Sequence, residues 1–177
     1  MMKQFISDSF HFLLSIMMLL PMHRFRIFIL RCMRMKIGNH TAICRNVEVR
    51  CPYRISIGSH TSINKYVLLD GRGGKLKIGN CVDIAQECNI WTLQHDYDSD
   101  IYASVGDGVT IEDYVWLASR VTILPGVTIG RGSVIGTCSV VTKDIPPMSI
   151  AVGIPAKVIG KRKDCLRYKL GKRGWFK

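Results

Sequence analysis

An aliphatic side chain recurs at every sixth residue through the second half of the chain, at Val105, Ile111, Leu117, Ile123, Ile129, Ile135 and Val141. A spacing of six fits neither an amphipathic helix, whose apolar positions fall three and four apart, nor a half-buried strand, which alternates by two. Short extended segments joined by corners are expected instead. Two places before the rungs stand small or β-branched residues, Val109, Val115, Val121, Val127, Ser133 and Ser139. Between them lie turn-permissive glycines such as Gly106, Gly108, Gly130 and Gly132, where a tight corner would use positive φ. Units this small cannot bury an apolar side alone, so they must stack into a solenoid.

The beat resembles the hexapeptide repeat of left-handed parallel β-helix proteins. That resemblance implies three units to a triangular coil of eighteen residues; the spacing by itself gives only a six-residue solenoid. Traced backwards on this basis, Ile78, Ile84 and Ile90 form one triplet, Ile57, Ile63 and Leu69 another, and Ile37, Ile43 and Val49 a third. Triplets then begin at 37, 57, 78, 105 and 123, giving coils of 20, 21, 27 and 18 residues. Each excess over eighteen follows the third unit, so residues 50–56, 70–77 and 91–104 are expected to protrude from one corner, stacked on one another. Asn39, His40, Asn46, His60 and Asn64 fall at turn positions, where Asn and His tolerate left-handed backbone.

The two ends read differently. Residues Phe10 to Leu20 are apolar except for His11 and Ser15, and Pro21 ends the run. It is too short to span a bilayer and lacks the small-residue cleavage site of a secretory signal. From Met22 to Arg31, and on to Arg34 and Lys36, basic and apolar residues alternate at helical spacing. Two readings stand: a helical cap over the open end of the solenoid or against a neighbouring subunit, and an amphipathic segment, residues 10–36, in peripheral contact with an anionic membrane. After residue 160, Lys161, Arg162, Lys163, Arg167, Lys169, Lys172, Arg173 and Lys177 face the single acid Asp164, which predicts a solvated basic tail. Trp175 and Phe176 near its end could pack back on the coil or dip into a membrane interface. The expected division is a helical segment at 1–36, a mainly β solenoid domain at 37–160 with a protruding loop at 91–104, and a short tail at 161–177.

A chain of 177 residues suffices for one domain with a substantial core. The net charge of +12 points to anionic partners without choosing among them. The seven cysteines are odd in number and form no Cys-x-x-Cys pair or zinc-like His/Cys cluster, so a reduced, cytoplasmic compartment without a metal centre is the simpler reading. Candidate chemistry gathers in the longest interruption of the repeat, Trp91 to Asp100, because ordered loops on rigid scaffolds tend to carry function. It contains His95, and an imidazole can take and return a proton near neutral pH. Asp70 opens the loop Asp70-Gly71-Arg72-Gly73-Gly74 at the same corner, where a carboxylate could accept hydrogen bonds from a sugar hydroxyl or simply initiate the loop.

Longer motifs carry a more specific resemblance. They are His95-Asp96-Tyr97, Asp113-Tyr114-Val115-Trp116-Leu117, Leu124-Pro125-Gly126-Val127-Thr128-Ile129-Gly130, Val140-Val141-Thr142-Lys143-Asp144-Ile145-Pro146-Pro147 and Val152-Gly153-Ile154-Pro155-Ala156-Lys157. Together they resemble the hexapeptide-repeat acyltransferases, in particular sugar O-acetyltransferases acting on maltose, galactosides and colanic acid. The entry Leu20-Pro21-Met22-His23-Arg24 and Lys36-Ile37-Gly38 is similar to that of polysaccharide acetyltransferases.

The resemblance implies acetyl coenzyme A as donor, a sugar or saccharide acceptor, a place in surface polysaccharide biosynthesis, and a homotrimer with active sites between solenoids. It makes His95 the catalytic base, assigns Ser119, Thr137, Thr142, Lys143 and Lys157 to the cofactor, and places Trp116 beside the groove. Asn64, Asp70 and Asp96 are the candidate acceptor contacts. A sugar hydroxyl is a weak nucleophile, so a positioned base must take its proton as it attacks the thioester. The Ser119 N–H is the implied oxyanion donor. Direct transfer is favoured because no nucleophilic Ser or Cys motif is present; the group that orients His95, a carboxylate or a carbonyl, stays open, with Asp96 and Asp98 close in sequence.

The chain departs from the family at Ala118, Thr137, Cys138 and Gly160, where Gly, Ala, Gly and Arg are usual. Thr137 in particular adds bulk beside the pantetheine arm. Two other readings are weighed: a zinc-dependent, carbonic anhydrase-like solenoid using His40, His60 and His95, and a non-enzymatic solenoid adaptor with basic ends. Nucleic acid is disfavoured, because no aromatic platforms interleave with the basic residues.

Overall fold

A computed structural model describes residue 9 and residues 12–170 of the chain. The chain winds into a three-sided parallel β-solenoid of five complete coils and a partial sixth. Its first face stacks β1 (Lys36–Ile37), β4 (Ile55–Ile57), β7 (Leu76–Ile78), β12 (Val109–Ile111) and β15 (Thr128–Ile129). The second stacks β2 (Ala42–Ile43), β5 (Ser62–Ile63), β8 (Asp83–Ile84), β13 (Trp116–Leu117), β16 (Val134–Ile135) and β18 (Ser149–Gly153), and β19 (Ala156–Lys161) extends it antiparallel to β18. The third stacks β3 (Glu48–Arg50), β6 (Leu68–Asp70), β9 (Asn89–Ile90), β14 (Thr122–Ile123) and β17 (Val140–Val141).

Register confirms the triplets at 37, 57 and 78 and corrects the next two. Ile57 pairs with Ile78, Ile78 with Ile111, and Ile111 with Ile129. The later coils therefore begin at 111 and 129 rather than at 105 and 123. Val105 is no rung: it pairs with Gln94 in a hairpin and is 40% exposed. The excursion runs on past residue 104 to the start of β12, and its hairpin happens to place a valine in phase with the coil.

The rungs point inward. Ile43, Ile63, Ile84, Leu117, Ile123, Ile129, Ile135 and Val141 are all fully buried, and each such side chain contributes roughly 1.5–3 kcal/mol. Buried hydroxyls in the corner columns are satisfied by the adjacent coil: Thr41 Oγ1 donates to Gly58 O at 2.6 Å and Thr61 Oγ1 to Gly79 O at 2.8 Å.

Glycine serves the corners differently from expectation. Positive φ falls mainly on other residues, including His40, His60, Cys81 and Tyr114 in one column and Asn46, Tyr66, Glu87, Arg120 and Cys138 in another. Gly106, Gly108 and Gly130 do not adopt it. Gly58 and Gly130 are required by close coil-to-coil approach, since a Cβ would lie 2.6 Å from the Gly79 backbone and 2.5 Å from Pro147 N.

The open lower end is capped by α1 (His23–Cys32), preceded by helical residues 12–17. Arg26 is fully buried here and donates through Nη2 to Ile43 O at 2.8 Å and through Nη1 to Leu20 O. It thereby serves a carbonyl on β2, the edge strand with no coil beneath it. Burial away from water lowers its pKa. No helix among the described residues is long and apolar enough to cross a membrane. Phe10, His11 and the first eight residues lie outside the described part.

The tail is not simply solvated. Arg162 donates to Tyr114 O at 3.0 Å and Gly132 O at 3.1 Å, Leu166 is buried, and Tyr168 Oη donates to Tyr114 O at 3.2 Å. The Leu170 carbonyl then meets His60 Nδ1 at 3.1 Å. Residues 161–170 strap the corner between the first and second faces, because their few apolar and aromatic side chains find that column of turns. Trp175 and Phe176 lie outside the described residues.

Candidate active site

The corner between the third and first faces carries all three long connections, as the coil lengths imply. The lowest is a turn of 3-10 helix at Pro52–Arg54, the middle one is the Asp70–Gly74 loop, and the uppermost is a hairpin of β10 (Leu93–His95) and β11 (Ser104–Gly106). The loops are in contact. Gly73 N donates to the buried Thr92 Oγ1 at 3.0 Å, and a Cβ on Gly73 would fall 1.8 Å from Thr92 O. The hairpin is thus seated on bare backbone, which fixes where its tip projects.

His95 stands exposed at the end of β10. Its Nδ1 is 3.1 Å from Tyr102 O, and the Tyr102 ring stacks on the imidazole with centroids 3.8 Å apart and planes inclined by 14°. A carbonyl oxygen can only accept, so in the neutral ring Nδ1 holds the proton and Nε2 presents its lone pair. Asp96 and Asp98 do not orient the ring: Asp96 Oδ1 accepts from Asp98 N at 3.0 Å, within the hairpin's own turn. Tyr102 was not apparent from sequence, because a main-chain acceptor has no residue signature.

Asp70 is fully buried, and Arg72 donates to it from N at 3.0 Å, Nε at 2.9 Å and Nη2 at 3.3 Å. It organises its loop and offers no surface to an acceptor while Arg72 covers it, which corrects its expected role as a direct contact. Asn64 lies elsewhere, at the corner between the second and third faces, where Nδ2 donates to Ile84 O at 2.8 Å. One chain therefore does not gather Asn64, Asp70 and Asp96 into a single acceptor site.

The corner between the second and third faces holds the other candidates. Leu117 pairs with Ile135 and Cys138 N donates to Ser119 O at 3.0 Å, which puts Ser119 and Thr137 on successive coils. Ala118 N and Arg120 N are engaged by Ile135 O and Gln86 O. The Ser119 N–H between them takes no part in that pairing. Below it, the buried Cys88 thiol donates to Ala118 O at 3.1 Å, and burial pushes its pKa up to about 11. That thiol is a packing group, not a nucleophile.

Trp116, 44% exposed, stands on the second face between Asp83 and Val134. Gly153 N donates to Ser139 Oγ at 3.0 Å, so the β18–β19 turn sits over the top of this corner with exposed Lys157 opposite Val152. Thr142 and Lys143 are exposed beyond β17, at the next corner. β17 separates them from the turn at Thr137, so they flank the line of Ser119 and Thr137 rather than continue it. Arg120, beside Ser119, donates to Glu87 at 2.7 Å, and that bond raises its pKa.

Within one chain, then, His95 and the Ser119–Thr137 line occupy different corners. The histidines are also dispersed: the rings of His40 and His60 stack 4.9 Å apart on the strapped corner, away from His95.

The repeat is shared with known proteins. A family model for the bacterial transferase hexapeptide, six repeats, matches residues 108–143. The protein named colanic acid biosynthesis acetyltransferase WcaF of Escherichia coli K12 is 33% identical over 147 residues, 81% of this chain and 78% of that one. A hexapeptide-repeat acetyltransferase from Vibrio cholerae, crystallised with acetyl coenzyme A, superposes with a TM-score of 0.80 at 30% identity, covering 88% of this chain and 87% of the other. A maltose O-acetyltransferase from Clostridium difficile 630 superposes with a TM-score of 0.80 at 32% identity, covering 88% and 86%. With sequence and coils shared over most of its length, the chain belongs to the hexapeptide-repeat acetyltransferase family.

Proposed function

We propose that the protein transfers the acetyl group of acetyl coenzyme A to a sugar hydroxyl during the building of a surface polysaccharide, with His95 as general base. The observation that carries this reading is the Nδ1 contact to Tyr102 O, which leaves Nε2 basic and projecting from a hairpin on a rigid scaffold. Nε2 takes the hydroxyl proton as the oxygen attacks the thioester carbonyl. The oxyanion faces the Ser119 N–H. Collapse breaks the C–S bond, and the imidazolium returns its proton to the leaving thiolate. The names of the relatives, an acetyltransferase of colanic acid biosynthesis and a maltose O-acetyltransferase, support a saccharide acceptor.

The separation of His95 from Ser119 within one chain supports a homotrimer in which the hairpin of one protomer meets the groove of the next. Thr137, Thr142, Lys143, Lys157 and Trp116 hold the coenzyme there, and Asp96 lies on the acceptor side.

We further propose peripheral contact with an anionic membrane face. α1 packs Leu30, Ile27 and Ile29 on the core together with the buried Arg26, yet leaves Phe25 46% and Phe28 61% exposed. Phe12, Ile16 and Leu19 are exposed nearby, with Arg24, Arg31, Arg34 and Lys36 at the surface beside them. No acidic residue occurs between Asp8 and Glu48. An anionic bilayer suits both the phenyl groups and the charge.

The test is acetyl transfer to a panel of oligosaccharides by wild type and by H95A. Retained turnover in the variant would remove the proposed base. Mixing H95A with a groove-blocked T137W chain should restore part of the activity if sites are shared between protomers.

A further inference from the structure

We infer that the cavity at the lower end of the solenoid binds a hydrocarbon chain bearing a phosphate, so that the acceptor is presented on a lipid anchor. The inference rests on the sugar-acetylation reading for the identity of the acceptor, but the cavity stands on its own observations.

The cavity exists because the repeat stops. β3 is the last strand of the third face, and the segment preceding α1 covers that edge only in part, with one backbone bond from Asn46 N to Met18 O at 3.3 Å. The space left is about 680 Å³, a size usual for a small-molecule site. Leu14, Met18 and Leu19 from the segment and Val47 and Val49 from the coil supply an apolar floor. A sugar alone would gain little from such a surface, whereas an isoprenoid or acyl chain would bury itself there.

The remainder of the lining is polar and cationic. Arg50 and Arg72 both line the cavity. Arg72 is aimed by the fully buried Asp70 and keeps a side chain 37% exposed. Arg50 pairs with Glu48 at 2.6 Å, and these side chains are 28% and 56% exposed, an open pair that an incoming dianion can replace. A guanidinium has five donors, and one carboxylate does not use them all. Half-buried Asn46 also lines this space.

Position completes the argument. The segment that walls the cavity exposes Phe12, Ile16 and Leu19, so a chain can pass from a bilayer into the site. The loop that carries Arg72 supports the hairpin that carries His95, through Gly73 and Thr92. Phosphate at the arginines would leave an attached sugar on the corner from which the imidazole projects.

Farnesyl phosphate is the probe, titrated into the full-length protein by calorimetry, with Trp91, stacked under Arg50 at 5.4 Å, as a fluorescence reporter. Farnesol and inorganic phosphate serve as the separated halves. Farnesyl phosphate should bind at least ~10-fold more tightly than either, and R50Q and S15W, the latter filling the mouth of the cavity, should each weaken it ~10-fold with an unchanged circular dichroism spectrum and unchanged acetyl coenzyme A binding. Equal affinity for farnesol, preference for free phosphate, or affinity unmoved in both variants would overturn the site. Should farnesyl phosphate fail to bind while His95-dependent transfer to a soluble sugar persists, the lipid anchor is wrong and the reaction stands. Binding without His95-dependent transfer would uphold the lipid site and overturn the reaction.

Discussion

The carbonyl oxygen of Tyr102 lies 3.1 Å from Nδ1 of His95, and the ring of the same tyrosine covers the imidazole at 3.8 Å. One residue thus sets both the tautomer and the plane of the base. Tyr102 can do so because its φ of +52° turns its carbonyl back toward β10. The ring can be removed without the carbonyl. H95A should lower kcat by ~10²–10⁴-fold, the span of a lost general base. Y102N, which keeps a residue tolerant of left-handed backbone, should cost about 10-fold through looser orientation. Steady-state kinetics with coenzyme A affinity measured in parallel decides the matter: an unaltered kcat in Y102N would show that the stack does not position the base.

Gly73 places that base from a distance. Its Cβ position falls 1.8 Å from Thr92 O and its α-carbon lies 2.5 Å from where a Cβ on Gly106 would sit. G73A must therefore lift the hairpin, while the inward rungs of all coils stay in place. Turnover should fall by at least ~10-fold, since displacement of about 1 Å is costly to a reacting geometry, with Tm lowered by only a few degrees. A large loss of Tm with kcat preserved would show the opposite coupling.

The rungs were legible because each inward position demands an aliphatic side chain, and from Ile111 onward nothing interrupts the count. Val105 misled because a hairpin strand also accepts a valine, and spacing does not distinguish an inward side chain from one paired with Gln94. The glycines were legible as corner residues, but their reason depends on the coil above: Gly58 meets Gly79, twenty-one residues later. His95 could be picked out by its place in the longest excursion, whereas its partner could not, being a main-chain atom seven residues on. Asp70 and Arg72 show a limit of another kind. Their i, i+2 spacing in a glycine-rich loop permits a local ion pair, and only burial reveals that the carboxylate is consumed by it.

Cys88 makes stability depend on alkaline pH. It stands in the inner column with Val47, Val67 and Val121, and burial raises its pKa from 9.0 to about 11. The folded thiol therefore holds its proton more tightly than the unfolded one. Between pH 9 and 11 the unfolded chain releases that proton and the folded chain keeps it, so stability falls as pH rises through this window, by up to about 3 kcal/mol. C88V should abolish this part of the slope. Denaturant midpoints at pH 8 and pH 10.5 for both proteins isolate it from other titrations, and identical slopes would refute the assignment.

Arg26 closes the open end of the solenoid with hydrogen bonds instead of another coil. Its guanidinium spans Ile43 O on β2 and Leu20 O at the turn before α1, two carbonyls from separate elements that a fork of donors can serve together. R26M keeps much of the volume but leaves both acceptors with one donor fewer in a buried site, and relief from burying the charge offsets only part of that cost. The net loss should be about 2–4 kcal/mol, or a fall in Tm of roughly 5–10 °C. R26K should recover less than half, because an ammonium presents no planar fork. Hydrogen exchange should quicken at Ile43 to Val49, the strands nearest the cap, before the upper coils respond. If Tm does not move, the packing of Met18 and Leu30, 1% and 0% exposed, holds the cap without the guanidinium.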